Sequence, residues 1–218
     1  MVWLLLLGVV EAAEPAWATL LSEDGWESLG TPSTKETGPI DLRLKTIGGD
    51  PCLRGEVTVS WRAEVLMDVV TDFKGAPQIT SETLIASRLL GNKGGVLEYY
   101  QHLDVPNWTM ASDRFWVLRG QRVTEGPTVS FRWNRFEWRT AYPDLAKQLD
   151  TEHSDAVEPQ VNWGQWQFTE SPEGTQVRYY ICSNPGGSLP EWVQKAAATK
   201  TLPNTMADIM REGKKRSQ

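Results

Sequence analysis

The chain has 218 residues, 40% of them hydrophobic, and a formal net charge of −6. That length can bury one sizeable core and is read as a single domain. The acidic balance argues against nonspecific nucleic-acid binding, which needs a basic footprint, and against strong electrostatic docking on anionic lipid heads.

Met1–Val10 (M-V-W-L-L-L-L-G-V-V) is uncharged and almost wholly apolar. It has about half the length of a membrane-spanning helix and fits the h-region of a secretory signal. No Lys or Arg precedes it, and a buried N-terminal strand or helix is the competing reading. As an export signal, cleaved after Ala13 or at Ala16-Trp17-Ala18, it divides the chain into residues 1–18, a domain over 19–213 and a basic tail over 214–218. The protein is then expected in the periplasm or outside the cell, and otherwise in the cytoplasm.

Trp17–Leu29 carries Trp17, Leu20, Leu21 and Trp26 near helical spacing and predicts a short helix ending around Gly25 or Gly30. Thr31–Gly38 is a loop by composition. Ile40–Lys45 alternates strictly, as a half-exposed strand does. After the turn Gly48-Gly49-Asp50-Pro51, Leu53–Trp61 is a second strand with Val57, Val59 and Trp61 on one face. Ala63–Phe73 changes period: Val65, Leu66, Val69, Val70 and Phe73 share one helical face, Asp68 and Asp72 the other. The loop Lys74–Gln78 follows.

From Thr80 the pattern is strands, over Thr83–Leu90, Val96–His102, Arg114–Arg122, Thr128–Glu137, Val161–Thr169 and Thr175–Cys182. Turn clusters at Gly91–Gly95, Thr124–Pro127 and Ser171–Gly174 imply antiparallel hairpins. Tyr142–Glu158 is an acidic interlude with helical turns. Ser183–Gly187 is a run of turn formers, after which Ser188, Pro190 and Glu191 supply an N-cap, a first-turn proline and a capping-box acid. Trp192, Val193, Ala196, Ala197, Met206, Ile209 and Met210 then form an apolar stripe, which Pro203 is expected to kink or interrupt. The last residues, Gly213–Gln218, are expected to fray.

That stripe needs an apolar partner, and the chain before it is mostly strand. The economical arrangement is α+β, a curved antiparallel β-sheet wrapped around a long C-terminal α-helix. Whether the space between them is packed or hollow is the functional question. Eleven tryptophans suit a cavity wall or an interface as well as a core.

Cys52 and Cys182 are too few to define a framework; such cysteines are more often small buried apolar residues, and an exported chain would also allow them to pair. His102 and His153 show no metal-ligand spacing. No metal or cofactor is expected. There is no G-x-S-x-G, no phosphate loop and no nucleophile–base–orienter set.

Leu103-Asp104-Val105-Pro106 followed by Ser112-Asp113-Arg114-Phe115-Trp116-Val117-Leu118-Arg119 resembles the P-x(n)-RDF-x-x-x-R segment of START domains, lipid-transfer modules of the helix-grip superfamily. Asn184-Pro185-Gly186-Gly187-Ser188-Leu189-Pro190-Glu191-Trp192 is similar to their D-P-G-G-x-I-P-x-W. Two departures stand: Asp113 precedes Arg114 where many members have Arg then Asp, and Asn184 replaces the usual Asp. The element order from Trp17 to Met210 agrees with the resemblance. It implies a helix-grip fold with an internal tunnel for one lipid or other hydrophobic molecule. Leu189–Met210 and Asp104–Asp113 would form the mouth.

Alternation puts Val129, Phe131 and Trp133 on one strand face and Trp166 and Phe168 on another, both expected inward; Trp192, Met206 and Met210 would complete the lining from the helix. Arg119 continues the face of Phe115 and Val117 and matches an inward-pointing arginine of cholesterol-binding START proteins. A buried arginine needs a partner, and Glu98 on the neighbouring strand, beside Tyr100, is the candidate. By spacing alone Arg119 is equally well placed on the outer face, with Phe115 and Val117 covered by something else. Asn107, Trp108 and Met110 in the 104–113 loop are the expected gate or membrane contact.

The function expected is a noncatalytic, monomeric carrier of a lipid-like molecule with transient membrane contact and no nucleic-acid partner. Its competitors are a helix-grip enzyme of cyclase or hydrolase type and a ligand-sensing module. Related helix-grip proteins include such enzymes, and acid–base chemistry would fall to Glu98, Tyr99, Tyr100 and His102.

Overall fold

The computed structural model describes residues 15–81, 84–105, 112–184 and 191–218, with the side chains of the last segment from residue 199 onward. Its elements in chain order are α1 (Trp17–Leu21), β1 (Glu27–Gly30), β2 (Ser33–Thr34), β3 (Gly38–Pro39), β4 (Asp41–Ile47), β5 (Asp50–Val59), α2 (Ala63–Val70), α3 (Ala76–Ile79), β6 (Leu84–Lys93), β7 (Val96–Leu103), β8 (Arg114–Glu125), β9 (Thr128–Arg135), α4 (Pro143–Glu152), β10 (Val161–Ser171), β11 (Gly174–Asn184) and α5 (Glu191–Arg216). Nine strands form one antiparallel sheet in the order β1-β4-β5-β11-β10-β9-β8-β7-β6, and β2 and β3 make a small separate ladder.

Alternation along the strands sends successive side chains to opposite faces. One face carries the main core, in which Val57, Val129, Phe131, Trp166, Phe168 and Val177 meet Leu202, Met206 and Met210 of α5. The helix sits close because β5 offers Gly55 beneath it: a Cβ there would lie 2.5 Å from both Leu202 Cδ2 and Met206 Sδ. Further along, a Cβ at Gly213 would lie 2.6 Å from Leu66 of α2. Polar contacts fix the same seating. Asp208, only 2% exposed, accepts the Ser81 hydroxyl at 2.8 Å and pairs with Arg211 at 2.7 Å. Arg216 reaches Asp72 beyond α2 at 2.6 Å.

The outer face is covered in two patches. Tyr100, Phe115, Val117 and Trp138 lie under Leu145 and Leu149 of α4. Cys52, Tyr180 and Cys182 lie under Leu20 and Trp26 of the N-terminal segment. Cys52 and Cys182 are direct cross-strand partners on β5 and β11, with Cα atoms 4.1 Å apart, and form a disulfide.

Several expectations are corrected. The helix expected over 17–29 ends at Leu21, because Gly25 takes φ +77° and the Trp26 indole donates back to the Ser22 carbonyl, turning the chain into β1. The loops at 31–38 and 74–78 contain the β2–β3 ladder and the start of α3. The strand expected over 83–90 continues to Lys93, so the turn narrows to Gly94-Gly95, both at positive φ. Pro203 does not interrupt α5, which also absorbs the basic tail as far as Arg216. Among the described residues no helix is long and apolar enough to cross a membrane.

Candidate ligand-binding interior

Cross-strand register builds an aromatic wall on the face that α5 covers. Trp166 of β10 stands opposite Phe131 of β9 and Tyr179 of β11, while Trp133 faces Gly164, which leaves room for its indole. Trp166 stacks on Tyr179 with centroids 4.0 Å apart, and Trp133 approaches the same tyrosine at 6.1 Å. Phe131 links Trp133, at 6.4 Å, to Tyr99 of β7, at 6.2 Å. Tyr99 in turn stacks on Phe73 at 4.2 Å. Such rings supply large apolar area, and the Trp133 N–H finds its partner in the Asn162 side chain at 3.1 Å.

This wall is not sealed throughout. Tyr179 and Ile181 project from the inner face of β11, near the middle of the sheet, yet both remain partly accessible, as do Leu53, Leu97 and Trp116 on the same face. Burial pushes the Tyr179 phenol well above the ordinary range, and burial together with the Tyr179 charge does the same to Tyr99. Both hydroxyls are therefore neutral donors at physiological pH.

Of the expected lining residues, Phe131, Trp133, Trp166, Phe168, Met206 and Met210 all lie in this core. The Trp192 side chain, Asn107, Trp108 and Met110 lie outside the described residues. Five expected positions belong to the other face and are corrected. Phe115, Val117 and Tyr100 pack under α4, and Arg119 is exposed, with its guanidinium 5.9 Å from the Phe136 ring centre. Glu98 is Arg119's cross-strand partner but accepts from Tyr142 at 2.6 Å and pairs with Lys93 at 3.2 Å. Burial acts to raise the Glu98 carboxyl, but the bonds from Tyr142 and Lys93 outweigh it and hold it below the ordinary range. Burial and Glu98 push the Tyr142 phenol up to about 12. An outer-face arginine avoids the desolvation that an interior one would incur, which is why α4 covers the apolar pair and leaves Arg119 in water.

The inner-face residues that sequence reasoning missed are Tyr99, Tyr179, Trp116, Leu118 and Phe73. Period two could have found Tyr99, Trp116, Leu118 and Tyr179, which sit on β7, β8 and β11, whereas Phe73 lies just beyond α2 on the apolar face that period 3.6 marks.

A second acid–base contact on the outer face lies beneath α4. The Tyr100 hydroxyl is 2.8 Å from His102 Nδ1, with Asp113 3.4 Å from His102 Nε2 and the His153 ring edge-on at 4.5 Å. It borders a cleft of about 430 Å³ between β6, β7 and α4, lined also by Arg88 and Gln148. Among the described residues, no three His, Cys, Asp or Glu side chains converge as a metal site.

A nine-stranded antiparallel sheet with a C-terminal helix laid across one face defines a helix-grip fold, the α+β architecture of START domains. The STAR-related lipid transfer protein (fragment 25-204) of Xanthomonas axonopodis is 22% identical, with a TM-score of 0.69 over 88% of this chain and 99% of that one. Human STARD10 is 16% identical, with a TM-score of 0.74 over 96% of this chain and 84% of its own. The Zhui aromatase/cyclase from Streptomyces sp. R1128 is 15% identical, with a TM-score of 0.51 over 77% of this chain and 95% of its own. No family model and no curated protein matches the sequence. At these identities the likeness defines the fold.

Proposed function

We propose that this protein is a noncatalytic carrier that binds a lipid or similar hydrophobic molecule between the aromatic wall and α5, and moves it between membranes. The observation that carries this reading is the inner face of β11. Residues that central in the sheet are normally sealed by the layer above them, yet Tyr179 and Ile181 keep accessible surface. An apolar guest there gains about 25 cal/mol for each Å² it removes from water, without covalent chemistry. Lipid transfer proteins of matching fold support the same reading.

The enzyme alternative is less favoured, because the Tyr100–His102 contact lies on the far side of the sheet from the aromatic wall. The disulfide supports an oxidising compartment, and with it the export reading of the apolar N-terminus. Transfer is tested with donor vesicles carrying a self-quenched fluorescent phospholipid or sterol and unlabelled acceptor vesicles. Protein-dependent dequenching is expected; dequenching no faster than spontaneous exchange, for every probe, contradicts the carrier role.

A further inference from the structure

The chain's only two histidines, His102 and His153, meet edge-on with ring centres 4.5 Å apart. Both line the cleft of about 430 Å³ on the outer face, across the sheet from the aromatic wall. A β-bulge shapes this cleft. The β6–β7 register slips between Leu84 and Ala86, and the extra residue, Ile85, lines the cleft at 51% exposure. Beyond the slip, Ala86 stands opposite His102 and Arg88 opposite Tyr100. The short Ala86 side chain leaves open the space that a larger residue would fill above His102. The floor there is polar. His102 is fully buried, its Nδ1 lies 2.8 Å from the Tyr100 hydroxyl, and its enclosed Nε2 has no hydrogen-bond partner. Asp113 stands 3.4 Å from that Nε2 without bonding geometry. A sheet face under a packed helix is ordinarily apolar, as Phe115 and Val117 are on the next strand, and an unsatisfied buried polar group is costly.

The positive charge at the cleft is Arg88. Its guanidinium lies 5.4 Å from the Tyr100 ring centre, and Nη2 donates to Gln148 Oε1 across a long 3.4 Å. Among the described residues no carboxylate pairs with Arg88, whereas most of the other arginines have one. The carboxylate beside it, Glu152, accepts instead from the far end of the Gln148 amide at 2.9 Å. Arg88 is thus held over the cleft by an aromatic face and an amide, with its charge uncompensated.

We propose that this outer-face cleft is a binding site for a small monocarboxylate with an apolar body, whose carboxylate pairs with Arg88 while the body lies against Ile85 and Pro77. The planar guanidinium fork suits a carboxylate. A single arginine, with Glu152 and Asp113 close by, disfavours a phosphate dianion, and an uncharged analogue of the same shape forgoes the ion pair. The site is separate from the space beneath α5 and does not depend on the carrier reading.

The test titrates the full chain with benzoate and, as the uncharged match, benzyl alcohol, at fixed pH. Binding is read by NMR from the imidazole Hε1 signals, which number two in this chain and both report on the cleft. Benzoate is expected to shift them saturably and to bind roughly three- to thirtyfold more tightly than benzyl alcohol, a charge-assisted bond discounted for the exposure of Arg88. In Arg88→Gln that preference is expected to vanish with the melting temperature unchanged. Arg43→Gln, on β4 near the opposite edge of the sheet, is expected to keep it. Equal binding of both probes, a benzoate preference that survives Arg88→Gln or is lost equally in Arg43→Gln, or benzoate uptake seen by calorimetry with both imidazole signals unmoved would overturn the site. So would the absence of any saturable benzoate binding.

Discussion

The disulfide permits the most quantitative forecast. Cys52 and Cys182 are 130 residues apart in sequence, fully buried, and directly opposite one another on β5 and β11. Cross-linking them removes loop-closure entropy from the unfolded chain; for a loop of that size the chain-entropy relation gives roughly 5 kcal/mol at 25 °C. Measured disulfides generally fall short of that figure, so about 3–5 kcal/mol is expected for reduction or for Cys52→Ala/Cys182→Ala. In a domain of this size that corresponds to a fall in Tm of about 6–20 °C. Denaturant and thermal unfolding of the oxidised, reduced and double-alanine proteins measure it, with alkylation and intact mass reporting thiol state. Oxidised protein that still alkylates at both cysteines refutes the pairing. A stability change below about 1 kcal/mol refutes the reasoning from loop size.

Gly55→Val should destabilise the fold by about 1–3 kcal/mol through overpacking against Leu202 and Met206. Adding Met206→Ala should recover part of that loss; strictly additive losses by chemical denaturation would mean that α5 is not seated on β5. Burial, with His153 alongside, holds His102 below the usual imidazole value of 6.5, against the pull of Asp113. Folding therefore favours the neutral ring. The stability this group contributes is present above pH 6.5 and is lost as the pH falls from there through its folded pKa, because the unfolded chain takes up the proton first. Unfolding curves between pH 7.5 and 5 should show a shallower loss in His102→Gln; an unchanged slope contradicts it.

The terminal helix, the strand run and the helix-on-sheet arrangement were legible in the sequence because period two and period 3.6 are strong over Thr128–Cys182 and around Met206–Met210. The phase of β8 was not. Phe115-Trp116-Val117-Leu118 is apolar at every position, since α5 covers one face and α4 the other, so alternation carries no information about which face is inner. The cover itself was obscure: α4 brings only Leu145 and Leu149 fully into the patch, within an acidic segment. That loss of phase moved Arg119, Glu98 and Tyr100 into the expected interior and left out Tyr99, one residue away. The cysteine pairing was invisible for a different reason: two residues 130 positions apart become neighbours only through the β5–β11 register.

The central claim is that the space beneath α5 houses a guest. Native mass spectrometry of the purified full chain, before and after organic extraction, addresses it most directly. The account predicts a population heavier than the polypeptide by one molecule of lipid mass, removed by solvent and restored on incubation with the extract. Bare polypeptide mass throughout, with no uptake from total lipid extract, would contradict it.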